Sequence, residues 1–325
     1  MRAAVCVRAG GPKVLQIREL PVPAVREGWS LVRVKAAGLN RSELRTRQGH
    51  SPSVRFPRVL GIECVGTLVS STDPLLPDGT TVAAVMGEMG RDFDGGYAEF
   101  ALLPNSLLMP VTTTLPWDVL AALPETYLTA RGALNALGVA PGGRGRLLIR
   151  GGTSSVGMAA TSIAAGHGIV TAATTRQEGK IGALIAAGAD HALLDDGQSL
   201  AASVHAVWPE GPDYILDLVG ASTAASSLRL ARRGGTVCLA GSLSGWLIPD
   251  FEPIAMIPSG TRLTAFHSND VKGSAGATML QRIVREVEAG VCRPSLDRVF
   301  ALDDIVAAHR YMEDNEATGK VVVIP

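Results

Sequence analysis

Along the first hundred residues apolar and polar positions alternate in short runs, the period-two pattern of half-buried strands. Such runs cover residues 2–7, 14–20, 30–36, 64–69, 81–85 and 97–102. Turn chemistry separates them: Gly10-Gly11-Pro12, Pro21-Val22-Pro23, Pro77-Asp78-Gly79 and Asp94-Gly95-Gly96. Short strands at even spacing with such punctuation predict a small β-barrel. One helix interrupts them at residues 40–48, opened by Asn40 with Glu43 three positions on, the capping-box signature. A longer helical stretch, residues 117–137, breaks near Pro124.

After Arg146 the pattern changes. An apolar strand (147–150) runs into Gly151-Gly152-Thr153-Ser154-Ser155-Val156-Gly157. A small-residue helix (158–167) follows, then a second strand ending in Thr174-Thr175-Arg176. This is one βαβ unit with a glycine turn, the setting in which backbone N–H groups of Gly152, Thr153, Ser154, Ser155 and Val156 approach a pyrophosphate at a helix N-terminus. Ser154 stands where the fingerprint has its middle glycine, and its hydroxyl predicts a slightly displaced pyrophosphate held by an added donor. Further strands are predicted at 191–194, 213–218, 236–240 and 261–267, with helices at 180–187, 199–207 and 222–232. Such alternation predicts a doubly wound parallel sheet. The end of the chain, with helices at 279–289 and 303–312 and strands at 298–302 and 320–324, returns to the first domain. The expected division is 1–117, 118–268 and 269–325, an α/β protein throughout.

The tip of the second strand selects the cofactor. An acidic residue there would accept from the ribose hydroxyls of NAD, but this tip reads Thr175-Arg176, with Lys180 four residues on. Arginine bonds a 2′-phosphate bidentately and lysine adds a point charge. NADPH is therefore the expected cofactor, with Arg176 and Lys180 sharing a face if the turn is helical.

Composition narrows the class. Of 325 residues 46% are hydrophobic and 18% charged, and 30 Lys plus Arg balance 30 Asp plus Glu. Neutral balance gives no reason to expect nucleic acid or an anionic membrane as partner. Cys6, Cys64, Cys238 and Cys292 are far apart and form no C-x-x-C pair, which fits a reducing compartment. There is no signal-like apolar core near the start and no uncharged apolar run of the ~20 residues that span a bilayer. A cytoplasmic protein is the expectation. The six histidines are scattered, and no Ser/His/Asp set or glycosidase-like carboxylate pair stands out.

Several segments together resemble the zinc-independent quinone oxidoreductases, related to zeta-crystallin, of the medium-chain dehydrogenase/reductase superfamily. They are the segment 36–44 (AAGLNRSEL), 61–66 (GIECVG), 123–130 (LPETYLTA), the glycine turn, 188–191 (GADH) and 318–323 (TGKVVV). The resemblance covers essentially the whole chain. It implies a GroES-like β-barrel domain plus a Rossmann domain, with the cofactor between them. Zinc-dependent relatives have Cys where this chain has Asn40, His where it has Ile62, and a third ligand near Glu125. A catalytic zinc needs at least three thiolate, imidazole or carboxylate ligands, so no catalytic zinc is expected. Residues 85–96 hold none of the four cysteines of the structural zinc lobe, so that site is not expected either.

The resemblance also implies site residues. Asn40 lies beside the nicotinamide ribose and substrate, a role compatible with its cap. Thr129, Gly241, Phe266 and Lys320 contact the cofactor. Tyr127 lines the substrate pocket or packs between the domains. His50 and Asp195 stand where relatives commonly carry tyrosines, near the pocket mouth and near the adenosine phosphate. The implied activity is NADPH-dependent hydride transfer to quinones or other α,β-unsaturated carbonyls by a homodimer joined through the Rossmann sheet edge, at 261–266. Alternatives on the same scaffold are a 2-enoyl-thioester reductase and a nucleotide-binding structural or RNA-binding protein.

Overall fold

The N-terminal alternation becomes strands because each run has a partner. In the computed structural model, which describes residues 1–51, 53–140, 142–245, 247–271 and 273–325, Arg2–Cys6 pairs antiparallel with Leu15–Glu19 and with Arg58–Val59. A seven-stranded sheet is built on Trp29–Leu39, antiparallel to Glu63–Ser71, Phe100–Pro104 and the closing strand Lys320–Ile324. Thr81–Val85 and Leu108–Pro110 extend one side, and Leu296–Ala301 lies parallel to Lys320–Ile324 on the other. The central strand outruns its predicted end at residue 36 because Ala37, Gly38 and Leu39 pair with Val323, Val322 and Val321. That pairing is made nearly 300 residues away, so no local pattern announces it. The buried cluster of this unit includes Val5, Val32, Leu39, Leu60, Leu103 and Val321, with Ile305 and Ala308 from the helix Ile305–Glu313.

This first unit comprises Met1–Leu128, Val271–Glu288 and Leu296–Pro325; the second comprises Thr129–Asp270 and Ala289–Ser295. The change from one to the other comes inside the helix Pro124–Leu137, later than the expected 117/118. Residues 289–295, expected with the returning segment, stay with the second unit, where Ser162 Oγ accepts the Arg293 N–H at 2.7 Å.

The second unit is a six-stranded sheet in which every pairing is parallel. Its strands are Arg146–Arg150, Val170–Thr175, His191–Leu194, Tyr214–Asp217, Thr236–Leu239 and Arg262–Ala265. In space they run third, second, first, fourth, fifth, sixth, the doubly wound order of dinucleotide-binding sheets. The strand order reverses beside the first strand, which places the glycine turn at the switch point where such sheets bind their ligand.

Candidate functional site

The turn after the first strand has the shape its sequence demands. Gly152 N–H donates to Thr174 O at 2.9 Å, tying the turn to the second strand. A Cβ on Gly157 would sit 2.6 Å from the carbonyl oxygens of Gly151 and Gly152, so only glycine lets the helix Ser155–Gly166 start this close to the strand. Ser154 is the helix cap: its Oγ accepts from Gly157 N–H at 3.1 Å and donates to Gly151 O at 2.7 Å. Its single hydroxyl hydrogen is thereby committed, which corrects the expectation of an added donor for a pyrophosphate. Thr153, Ser155 and Val156 are partly exposed. Among the described residues the N–H groups of Ser155 and Val156 have no acceptor, and the helix dipole adds positive potential there.

Beyond the second strand, Thr175 is buried and its hydroxyl accepts the Gln177 N–H at 3.1 Å. This turns Arg176 outward: it is exposed and, among the described residues, makes no hydrogen bond or ion pair. Gln177 is extended (φ −120°, ψ 116°) before the 3₁₀ turn Glu178–Lys180. Arg176 and Lys180 therefore do not share a helical face, since the helical geometry that would align them begins only after Gln177.

Two buried groups at this end of the sheet were not picked out as site residues from the sequence. Arg150, 3% exposed at the end of the first strand, donates to Asp195 Oδ2 through Nε (3.0 Å) and Nη2 (2.9 Å). It also donates to Ser226 Oγ at 2.6 Å and Ser227 Oγ at 3.1 Å. Asp217, fully buried at the end of the fourth strand, accepts from Val219 N–H, Gly220 N–H, Thr223 Oγ and Ser227 Oγ, at 2.6–3.0 Å. Together they lock the loops that follow three strands. The available signal was a charged residue closing an otherwise apolar strand, in Leu147-Leu148-Ile149-Arg150 and again in Ile215-Leu216-Asp217. Gly241 lies against the Leu218 carbonyl, and the Phe266 ring packs on Gly132. Thr129 is buried in the helix Pro124–Leu137.

The other candidate residues meet in the first unit. Asn40 precedes the helix Arg41–Arg47 in a capping-box arrangement, its backbone N–H donating to Glu43 Oε2 at 3.1 Å. Its amide is held from a different direction. Asn40 Oδ1 accepts from Lys320 Nζ at 2.7 Å, and Nδ2 donates to Glu63 Oε1 at 2.9 Å and, at a long 3.4 Å, to Glu43 Oε1. Lys320 and Glu63 form an ion pair of fully buried side chains. Gly38 makes room for it, because a Cβ there would run into both Glu63 Oε1 and Lys320 Cε. The ammonium of Lys320, a residue expected to touch the cofactor, is engaged by Glu63 and Asn40.

Glu63 accepts a further N–H from Glu125 at 2.8 Å, and Glu43 accepts from Ile62 N–H at 3.0 Å. Burial pushes the Glu43 carboxyl up to about 7, against the lowering effect of that hydrogen bond and of Lys320. Burial also holds Tyr97 well above the usual phenol range, reinforced by the charges of Glu43 and Glu63. His309, edge-on to Tyr97 at 5.8 Å, is pushed down to about 3 by burial and by Arg47. Tyr127 is 1% exposed. All four cysteines are free and buried, and burial raises the Cys64 thiol to about 12, so it is no nucleophile at neutral pH.

Residues 26–113 match the family model of the alcohol dehydrogenase GroES-like domain, and residues 187–323 that of zinc-binding dehydrogenases. The quinone oxidoreductase of Rattus norvegicus is 27% identical over 333 aligned positions, covering 100% of this chain and 98% of its own. The crystal structure of an NAD-dependent alcohol dehydrogenase superposes with a TM-score of 0.86 at 28% identity, over 100% of both chains. The mycobacterial protein Rv1454c complexed with NADPH gives 0.87 at 26%, also over 100% of both. A GroES-like unit, a doubly wound sheet with its glycine turn at the switch point, and full-length similarity to quinone oxidoreductases make this chain a quinone oxidoreductase-type member of the medium-chain dehydrogenase/reductase family.

Proposed function

We propose that the chain is an NADPH-dependent reductase that works without a metal and passes hydride to quinones or other α,β-unsaturated carbonyls. The observation that carries this reading is the Asn40 amide, fixed by Lys320 and Glu63 as a hydrogen-bond donor where a zinc enzyme needs a ligand. Ile62 is buried and apolar, and among the described residues no three His, Cys, Asp or Glu side chains are grouped to hold a metal ion. A catalytic zinc does not fit these residues.

The second unit fits a dinucleotide. The N–H groups of Ser155 and Val156 would take the pyrophosphate, with Gly152, Thr153 and Ser154 shaping the turn beside it, and Arg176 would take the 2′-phosphate. Asp195 would repel that phosphate if it were uncompensated, but Arg150 is paired with it. Thr129, Gly241 and Phe266 are proposed further contacts, with Tyr127 toward the substrate, and a cytoplasmic setting suits four free thiols. When bound, the nicotinamide supplies the hydride.

The protein's part is to orient, exclude water and stabilise charge. A simple ketone concentrates alkoxide charge on one oxygen and calls for a Lewis acid or a proton donor. A quinone or enone spreads that charge, so one fixed amide donor can serve. With NADPH, kcat/KM for an enone should exceed that for its saturated ketone many-fold, with no effect of strong chelators. A ratio near one, or chelator-sensitive turnover, would overturn the reading. Arg176→Ala should weaken NADPH by roughly 1.5–3 kcal/mol, the scale of a charged hydrogen bond, and leave NADH almost unchanged. Equal losses would remove Arg176 from the 2′-phosphate.

A further inference from the structure

The polar cluster around Asn40 is one positive charge short. Glu43 and Glu63 are 1% and 0% exposed, and among the described residues the one cation hydrogen-bonded to them is Lys320, 1% exposed. The other titratable groups packed on Glu43 do not supply the missing charge. Arg47, on the same helix, is paired with Glu313. His309, from the helix Ile305–Glu313, is kept neutral by burial. Tyr97, from the loop before Phe100–Pro104, stays an uncharged phenol. Lys320 is already bonded to Glu63. Two carboxylates facing one ammonium away from water do not both ionise readily, and the second is the group that keeps a proton.

The geometry points to Glu43 as that group. Glu63 has the ammonium, the Asn40 amide and the Glu125 N–H. Among the described residues Glu43 has no cation bonded to it, and its contact with Asn40 Nδ2 is the long one, 3.4 Å. Asn40 Nδ2 carries two hydrogens; Glu63 holds one at 2.9 Å, and the other is contested. We propose that Glu43 is a positioning residue whose protonation state controls Asn40: neutral, it leaves the second amide hydrogen free for the substrate oxygen, and ionised, it draws that hydrogen to itself. This rests on the reading of Asn40 as the donor to the substrate.

The test pairs an activity with a measurement that needs no turnover. The kcat/KM for a quinone should fall as pH rises from about 6 to about 9, by roughly three- to tenfold, the worth of one hydrogen bond. Glu43→Gln, which cannot ionise, should keep the low-pH rate across the range. In the protein without cofactor or substrate, an infrared band of a protonated buried carboxyl should disappear over the same range and be missing from Glu43→Gln. If that variant does not fold, the unmodified enzyme decides, because the midpoints of band and rate must coincide. A band that does not titrate overturns the inference whatever the enzyme reduces. A titrating band with a level rate, or with a different midpoint, overturns the control of Asn40. A protein that reduces no quinone or enone while the band titrates overturns the functional reading, and the role of Asn40 with it.

Discussion

Glu43 and His309 lie in one buried neighbourhood and bias stability in opposite directions. Glu43 is raised from 4.5 to about 7 in the folded state, so the folded protein holds more protons than the unfolded chain between those values. Stability then declines as pH rises through that window and stays lower above it. His309 is lowered from 6.5 to about 3, so its contribution is complete above 6.5 and is lost as pH falls toward 3. Glu43→Gln should therefore gain on the parent as pH rises from about 5 to about 8. The gain is bounded by roughly 3 kcal/mol, because a tenfold change in proton affinity is worth about 1.4 kcal/mol. His309→Phe, which keeps a ring against Tyr97, should flatten the acid limb. Urea unfolding at several pH values reads both. A Glu43→Gln gap that narrows toward high pH would mean that the carboxylate is well solvated or well paired.

Among the elements, the glycine turn is where sequence and structure speak most directly to each other. Gly157 is constrained by two carbonyl oxygens 2.6 Å from where its Cβ would be, and the helix cannot retreat without losing the Ser154 cap. Gly157→Ala should destabilise the protein by about 1–3 kcal/mol, the usual cost of overpacking, and weaken NADPH at least as much as NADH. Calorimetry and nucleotide fluorescence would measure these effects, and an alanine variant with parental stability would contradict the crowding. The βαβ unit was legible because strand, turn and helix are contiguous, and their periodicities are local. The six parallel strands were legible for the same reason, since each is a short run whose pattern is local and bounded by turns. The capping relation of Asn40 and Glu43 could be read from four residues. What could not be read depends on partners remote in sequence. The continuation of Trp29–Leu39 needs Lys320–Ile324, the Asn40 amide is aimed by Lys320 and Glu63, and Arg150 meets Asp195 across the intervening second strand of the parallel sheet. Arg176 and Lys180 were spaced for one helical face, but an extended Gln177 intervenes, a backbone choice that spacing does not encode.

At the scale of the whole molecule, the sixth strand is the element that bears on assembly. Arg262–Ala265 pairs in parallel with Thr236–Leu239 and has no second neighbour among the described strands. Arg262 N–H donates to Gly235 O and Phe266 N–H to Leu239 O, at 2.9 and 3.1 Å. Because strand N–H groups alternate in direction, those of Leu263 and Ala265 point to the open side. An uncovered edge of this kind invites pairing with another chain. Its defences are slight: one charged side chain, Arg262, and no proline. We propose that two copies pair through this edge. With zero formal net charge, little long-range repulsion opposes the approach. Ala265→Pro removes one outward donor and no bond to the fifth strand, and proline is tolerated at a strand edge. Light scattering at micromolar concentration should give twice the chain mass for the parent and the single-chain mass for Ala265→Pro, with unchanged circular dichroism. A parent that is already a monomer, or a proline variant that remains a dimer, would place the contact elsewhere or abolish it.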